Sequence, residues 1–176
     1  MEKEIWIEDR KIGGDAPTFI IAEMSGNHNM DFDRAVKIME EAKKAGADAI
    51  KIQTYTADTI TLDCDDPCFQ ITQGTLWDGM TLHKLYETAY TPWEWQPKLQ
   101  KIAKELGLIF FSSPFDPTSV DFLEEMNVPA YKIASFEITD IPLIRKIAKL
   151  GKPIIFATGI AHLADIELAL KTCRAE

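Results

Sequence analysis

Apolar residues in this chain alternate between two periods. Five short stretches read as strands: Thr18–Ala22 (TFIIA), Asp48–Thr54 (DAIKIQT), Leu108–Ser113 (LIFFSS), Tyr131–Glu137 (YKIASFE) and Pro153–Thr158 (PIIFAT). The first is a continuous apolar run suited to a strand buried on both faces. Between the strands, apolar positions recur at helical spacing. Phe32, Ala35, Ile38, Met39 and Ala42 line one side of a helix over 31–45, with Asp31 as its N-cap and Gly46 as its close. Thr91-Pro92-Trp93-Glu94 reads as a capping box with proline at the first helical position, opening a helix to about Leu106 with Trp95, Leu99, Ile102 and Leu106 inward. Asp116 and Pro117 begin a third helix, with Val120, Leu123 and Met126 inward. Thr139 or Asp140 caps a fourth that ends at Gly151, and a fifth covers Leu163–Cys173. Residues 1–17 form a short segment ahead of the first strand, with a hairpin turn placed at Gly13-Gly14. Residues 55–90 are a long connection, which is usually functional.

Five strand–helix units in strict alternation demand a parallel sheet with right-handed crossovers. Two α/β architectures fit: an open doubly wound sheet, or part of a (β/α)8 barrel. No G-x-G-x-x-G follows any strand, so a dinucleotide fold has no positive signal. A barrel typically needs about 250 residues, roughly three units more than this chain holds. The expectation is therefore the N-terminal part of a longer protein.

Composition narrows the function. A hydrophobic content of 46% and a charged content of 27% are ordinary globular values. The net charge of -9 argues against nucleic acid and anionic membrane as partners. No apolar run approaches a membrane span, and the charged N-terminus is no signal peptide. Cys64, Cys68 and Cys173 form no pattern and read as reduced cytoplasmic thiols. Cys64 and Cys68 stand among Asp63, Asp65 and Asp66, and metal binding there is the less favoured reading.

The chemistry sits at the strand ends, the face where parallel α/β proteins bind ligands. Glu23, Asn27 and His28 follow the first strand. Lys51 and Gln53 lie in the second, Ser112 and Ser113 close the third, Lys132, Ser135 and Glu137 lie in the fourth, and Thr158-Gly159 ends the fifth. A charge inside a buried strand is costly without a partner, so Lys132 needs an anion. Two lysines with several hydroxyls make a seat for phosphate or carboxylate. The bland alternative is that each lysine pairs with Glu23 or Glu137. His28 reads as a turn cap, and His83 and His162 as surface residues without partners. Trp77, Trp93 and Trp95 read as core, with Trp77 also a sugar-stacking candidate.

At this point the motifs resemble a family. IAEMSGNHN, KIQTY, FSSPFD, YKIASFE and the ATG after the fifth strand are similar to the synthase domain of the sialic acid synthases. GTLWDG at 74–79 and AYTPWEWQ at 89–96 look nearer to the pseudaminic acid synthases than to the neuraminate synthases. The likeness covers essentially the whole chain. It implies a TIM (β/α)8 barrel, of which this chain supplies the N-terminal five units and lacks the later units and the C-terminal antifreeze-like domain. It implies a homodimer when full length, and condensation of phosphoenolpyruvate with a diacetamido-trideoxy hexose, giving pseudaminic acid and phosphate by C–O cleavage. Neuraminate or legionaminate synthase is the alternative within that family.

The resemblance assigns Lys51, Ser113, Lys132 and Ser135 to phosphoenolpyruvate, with Thr158 beside them. It assigns Glu23 as the acid/base or water-orienting carboxylate, and Gln53 and Glu137 to the acceptor sugar, with Asn27 close by. A divalent manganese or magnesium ion holds the open-chain aldehyde in the family, through histidines on later strands, so no metal ligand is expected here. Ala157 replaces the family's usual serine, which shifts that phosphate contact to Thr158. Taken alone, the chain is expected to be inactive. Two other readings remain from the residues: a Schiff-base aldolase using Lys132 or Lys51, and an anion-binding fragment without turnover.

Overall fold

The computed structural model describes residues 4–176. The chain opens with a hairpin of β1 (Ile5–Ile7) and β2 (Arg10–Ile12), in which Ile7 pairs with Arg10. That register leaves Glu8 and Asp9 as the turn, with Glu8 at φ 52. The turn is thus not at Gly13-Gly14, which lie beyond the second strand. The reading of residues 1–17 as a lead-in holds for 4–17, and residues 1–3 lie outside the described part.

Five parallel strands follow: β3 (Ile21–Glu23), β4 (Ala49–Thr54), β5 (Ile109–Pro114), β6 (Tyr131–Ile133) and β7 (Ile154–Phe156). Each pairs with the next in chain order. A doubly wound sheet reverses its order at a switch point, and this one never does. It is half of a barrel wall. The first strand is shorter than the run Thr18–Ala22 and is not buried on both faces. As an edge strand it pairs only with β4, and Ile20 is 51% exposed.

The helices follow their local signals. Asp31 accepts a bond from the Arg34 amide (3.0 Å) to start α1 (Phe32–Lys44), whose Ala35 and Met39 are buried. Asp116 accepts from the Thr118 and Ser119 amides (2.8 and 3.2 Å) to start α5 (Pro117–Glu125). Asp140, rather than Thr139, caps α6 (Ile141–Ala148) through the Leu143 amide. The last helix, α7, spans Leu163–Ala175.

The 55–90 connection is structured. It holds α2 (Ala57–Ile60), a 3-10 turn at Pro67–Phe69 and α3 (Leu82–Ala89), and Gln70 bridges to Thr81. The capping box at Thr91 does not form. Trp93–Trp95 make a 3-10 turn and α4 (Gln96–Glu105) begins after it, because the Thr91 hydroxyl lies 3.1 Å from His28 Nε2.

The core lies between the sheet and the helices. Ile50, Ile52, Tyr131 and Ile133 are fully buried, and Thr54 reaches Gln96 of α4 (2.8 Å), which marks the helix-facing side of β4. Alternation turns Lys51 and Gln53 to the opposite, concave side. Of the three tryptophans read as core, Trp95 packs edge-on to Phe32 and Trp93 lies 4.7 Å from Phe122. Trp77 is instead 49% exposed, out in the connection.

Candidate functional site

Strand register decides which lysine is neutralised. Glu23 stands directly opposite Lys51 on the neighbouring strand, and the two form an ion pair. Lys51, nearly buried, also donates to Ser113 Oγ at 3.4 Å. The Ser25 amide donates to the other oxygen of Glu23 at 3.2 Å, so the carboxylate is held from two sides.

Lys132 sits on β6, beyond Ser113. It is half-buried, and among the described residues no carboxylate oxygen lies within 4.0 Å of its ammonium. Its pKa is pushed below the ordinary lysine value, first by burial and then by the positive charge of Lys51, against the pull of Glu23 and Glu137. The alternative in which each lysine pairs with a neighbouring carboxylate therefore holds for Lys51 and not for Lys132. Glu23 is taken by Lys51, and Glu137 is carried off the strand by the 3-10 turn Phe136–Thr139.

Glu137 is the other unsatisfied charge. Its Oε2 is buried and has no hydrogen-bond partner. Burial raises its pKa above the ordinary carboxylate value, while Lys132 works the other way. Tyr86 of α3 feels that charge: burial and then Glu137 raise its phenol. The Tyr86 ring packs edge-on to Tyr55, and Tyr55 to Phe115, each at 5.4 Å. Tyr86 was missed in the sequence, because nothing in α3 shows which of its residues turns toward Glu137, 51 positions later.

The remaining expected residues divide. Ser135 Oγ accepts from the Gly159 amide at 3.1 Å, tying the end of β6 to the loop after β7, where Thr158 is exposed. Gln53 reaches Ser25 Oγ at 3.4 Å and so lines the Glu23 turn. Asn27 turns its amide back onto Met24 O (2.9 Å), within its own loop. Ser112 does not join Ser113. It faces the helices, 2.6 Å from Thr54 Oγ1 and 3.2 Å from Ile52 O.

The histidines also divide. His28 is fully buried, and its Nδ1 accepts from the Met30 amide (3.1 Å), a turn cap as read. His83 is not a free surface residue: it is buried, with Nε2 2.8 Å from Asp58 Oδ1. The two are separated by 25 positions, too far for sequence spacing to pair them. His162 is exposed at the start of α7. Among the described residues no three His, Cys, Asp or Glu side chains are placed to hold a metal ion. Cys64 Sγ and Asp66 spend their acceptors on local turn amides.

The sequence pattern of the NeuB family matches residues 38–176. The chain belongs to the NeuB family. Among its relatives, the pseudaminic acid synthase of Helicobacter pylori is 46% identical over 158 residues, covering 90% of this chain and 46% of that protein. The pseudaminic acid synthase of Campylobacter jejuni serotype O:2 is 51% identical over 147 residues, 84% of this chain and 43% of that protein. The chain thus spans less than half the length of these curated NeuB relatives. The crystal structure of the N-acetylneuraminic acid synthetase of Leptospira borgpetersenii, in complex with citrate, superposes with a TM-score of 0.85 at 29% identity, over 98% of this chain and 55% of that one. The half-barrel is therefore the NeuB family fold. No helix among the described residues is long and apolar enough to cross a membrane.

Proposed function

We propose that this chain is the N-terminal part of a synthase barrel that condenses phosphoenolpyruvate with a diacetamido-trideoxy hexose, releasing pseudaminic acid and phosphate. The observation that carries the reading is Lys132: a half-buried ammonium with no carboxylate oxygen within 4.0 Å among the described residues, close enough to Lys51 to feel its charge. Such a charge is stabilised when an anion arrives.

In this reading Lys51 and Lys132 neutralise the phosphate and carboxylate of phosphoenolpyruvate, and Ser113 and Ser135 donate hydrogen bonds. Glu23 lies beside the reacting carbons. The enol π pair at C3 forms the new bond to the aldehyde carbon, whose oxygen takes up a proton. Water adds at the electron-poor C2, giving up its proton to a carboxylate base, the role of Glu23. The C2–O bond to phosphate then breaks, phosphate leaves with the electron pair and takes up the proton of the C2 hydroxyl, and a 2-keto acid remains. Glu137, Gln53 and Asn27 face the acceptor sugar. A divalent metal would support aldehyde binding in this reading and would be held by residues of the later barrel units, and the full-length enzyme would act as a homodimer in the cytoplasm.

The test is a titration of the chain with phosphoenolpyruvate by calorimetry, and turnover once the remaining barrel units are supplied. Binding lost in Lys132→Met supports the reading. Exclusive use of N-acetylmannosamine as acceptor replaces pseudaminate by neuraminate synthesis, and exclusive use of a legionaminate precursor replaces it in the same way. The depressed pKa of Lys132 also favours a second reading, a Schiff-base aldolase. Borohydride reduction with pyruvate separates the two, since a covalent adduct on Lys132 supports the aldolase.

A further inference from the structure

The turn after β3 is held in an unfavourable backbone. Ser25, Asn29 and Met30 all adopt left-handed conformations, at φ 50, 48 and 55, which non-glycine residues seldom take. Such a conformation persists only where surrounding contacts over-determine it. Two contacts from the 55–90 connection and its exit do so here.

The first is His28. Its Nδ1 accepts from the amide of Met30, itself left-handed, which leaves the ring proton on Nε2. That Nε2–H then donates to Thr91 Oγ1 at 3.1 Å, across 63 positions of sequence. The ring is fully buried and its other flank meets the edge of Trp95, at 5.7 Å between centroids. Burial holds the imidazole below its ordinary pKa, so it stays neutral, as both bonds require. The second contact is Gly26, where a Cβ would come within 2.9 Å of Ala89 O at the end of α3. The turn therefore presses directly on the backbone of the connection.

The same turn supplies the Ser25 amide that holds Glu23, and the Ser25 hydroxyl that meets Gln53. The geometry points to His28 as a positioning residue: through Thr91 it locks the turn that aims Glu23, and so couples the Glu23 carboxylate to the 55–90 connection. The consequence for turnover rests on the proposed role of Glu23. The coupling itself does not.

Thr91→Val keeps the shape and removes the acceptor, and Thr91→Ser restores it. Amide hydrogen exchange on the whole chain reads the coupling. In Thr91→Val the Ser25, Asn27 and Asn29 amides are expected to exchange about tenfold faster, the scale of one buried donor left unpaired, with β4 and β5 amides unchanged. Thr91→Ser keeps wild-type exchange. In the synthase completed with its remaining barrel units, kcat in Thr91→Val falls about tenfold, with the KM for phosphoenolpyruvate within about twofold. Turn amides within about twofold of wild type, or an equal acceleration in β4, overturn the inference. If Thr91→Val does not fold, Gly26→Ala displaces the same turn from its other contact, and the same local pattern or its absence decides. A wild-type synthase completed with its remaining barrel units that shows no turnover defeats the proposed function, while the exchange data on the chain still decide the coupling.

Discussion

Glu23 and Lys51 face each other in register on adjacent parallel strands and close an ion pair at the concave side of the half-barrel. The pair accounts for one lysine and leaves Lys132 uncompensated. The two lysines should consequently differ in what they do for the fold, although the proposed function gives both the same anion.

Lys51→Met strands Glu23 beside an apolar side chain. Because Glu23 is still 39% exposed in its side chain, the expected loss is only about 1–2 kcal/mol of stability. Lys132→Met removes a charge that is in no ion pair among the described residues, and stability should change by less than about 0.5 kcal/mol or rise. Each variant should weaken phosphoenolpyruvate binding at least about tenfold, the value of one charge-assisted contact. Urea denaturation and calorimetry on both variants check this. A larger stability loss for Lys132→Met would reverse the assignment of the pair.

Glu137 should make the protein less stable as pH rises. Its folded pKa lies above the ordinary value because burial disfavours the anion, so the folded state holds the proton more tightly than the unfolded chain does. The contribution is fully present below the unfolded pKa and is lost as pH passes the folded pKa. Glu137→Gln keeps the shape without the charge. Its melting temperature should match wild type near pH 4 and lie above it at pH 7, a gain in stability of about 1 kcal/mol or less given the solvent contact of the site. A variant that melts below wild type at pH 7 would show that the carboxylate has a partner.

His83 should behave with the same sign through a different cause. The hydrogen bond that His83 donates to Asp58 raises its pKa, with Asp63 and Glu87 adding to it against burial. The ion pair is fully formed below pH 6.5 and is lost as pH rises through the raised folded value. In Asp58→Asn the drop in melting temperature between pH 6 and pH 8.5 should shrink. Exchange in α2 and α3 should rise at pH 6 in that variant, since Asp58 and His83 join these two helices. Unchanged exchange there would mean the connection is held by its apolar contacts alone.

What the sequence determined by itself is local. Apolar runs and capping residues such as Asp31, Asp116 and Asp140 act within one turn or one strand, so the order of strands and helices could be read directly. Placement of Glu23, Lys51, Ser113 and Lys132 at the strand ends followed from that order, since parallel strands in sequence bring their ends to one side. Tertiary structure alone decided how those groups are paired. The Glu23–Lys51 bond depends on strand register, the His83–Asp58 and His28–Thr91 contacts on how the 55–90 connection folds back, and the separation of Ser112 from Ser113 on which face of β5 meets the helices. Each rests on contacts between residues far apart in the chain, Ser112 with Thr54 included, whose energy comes from distance and burial, and neither quantity is encoded in residue type or spacing.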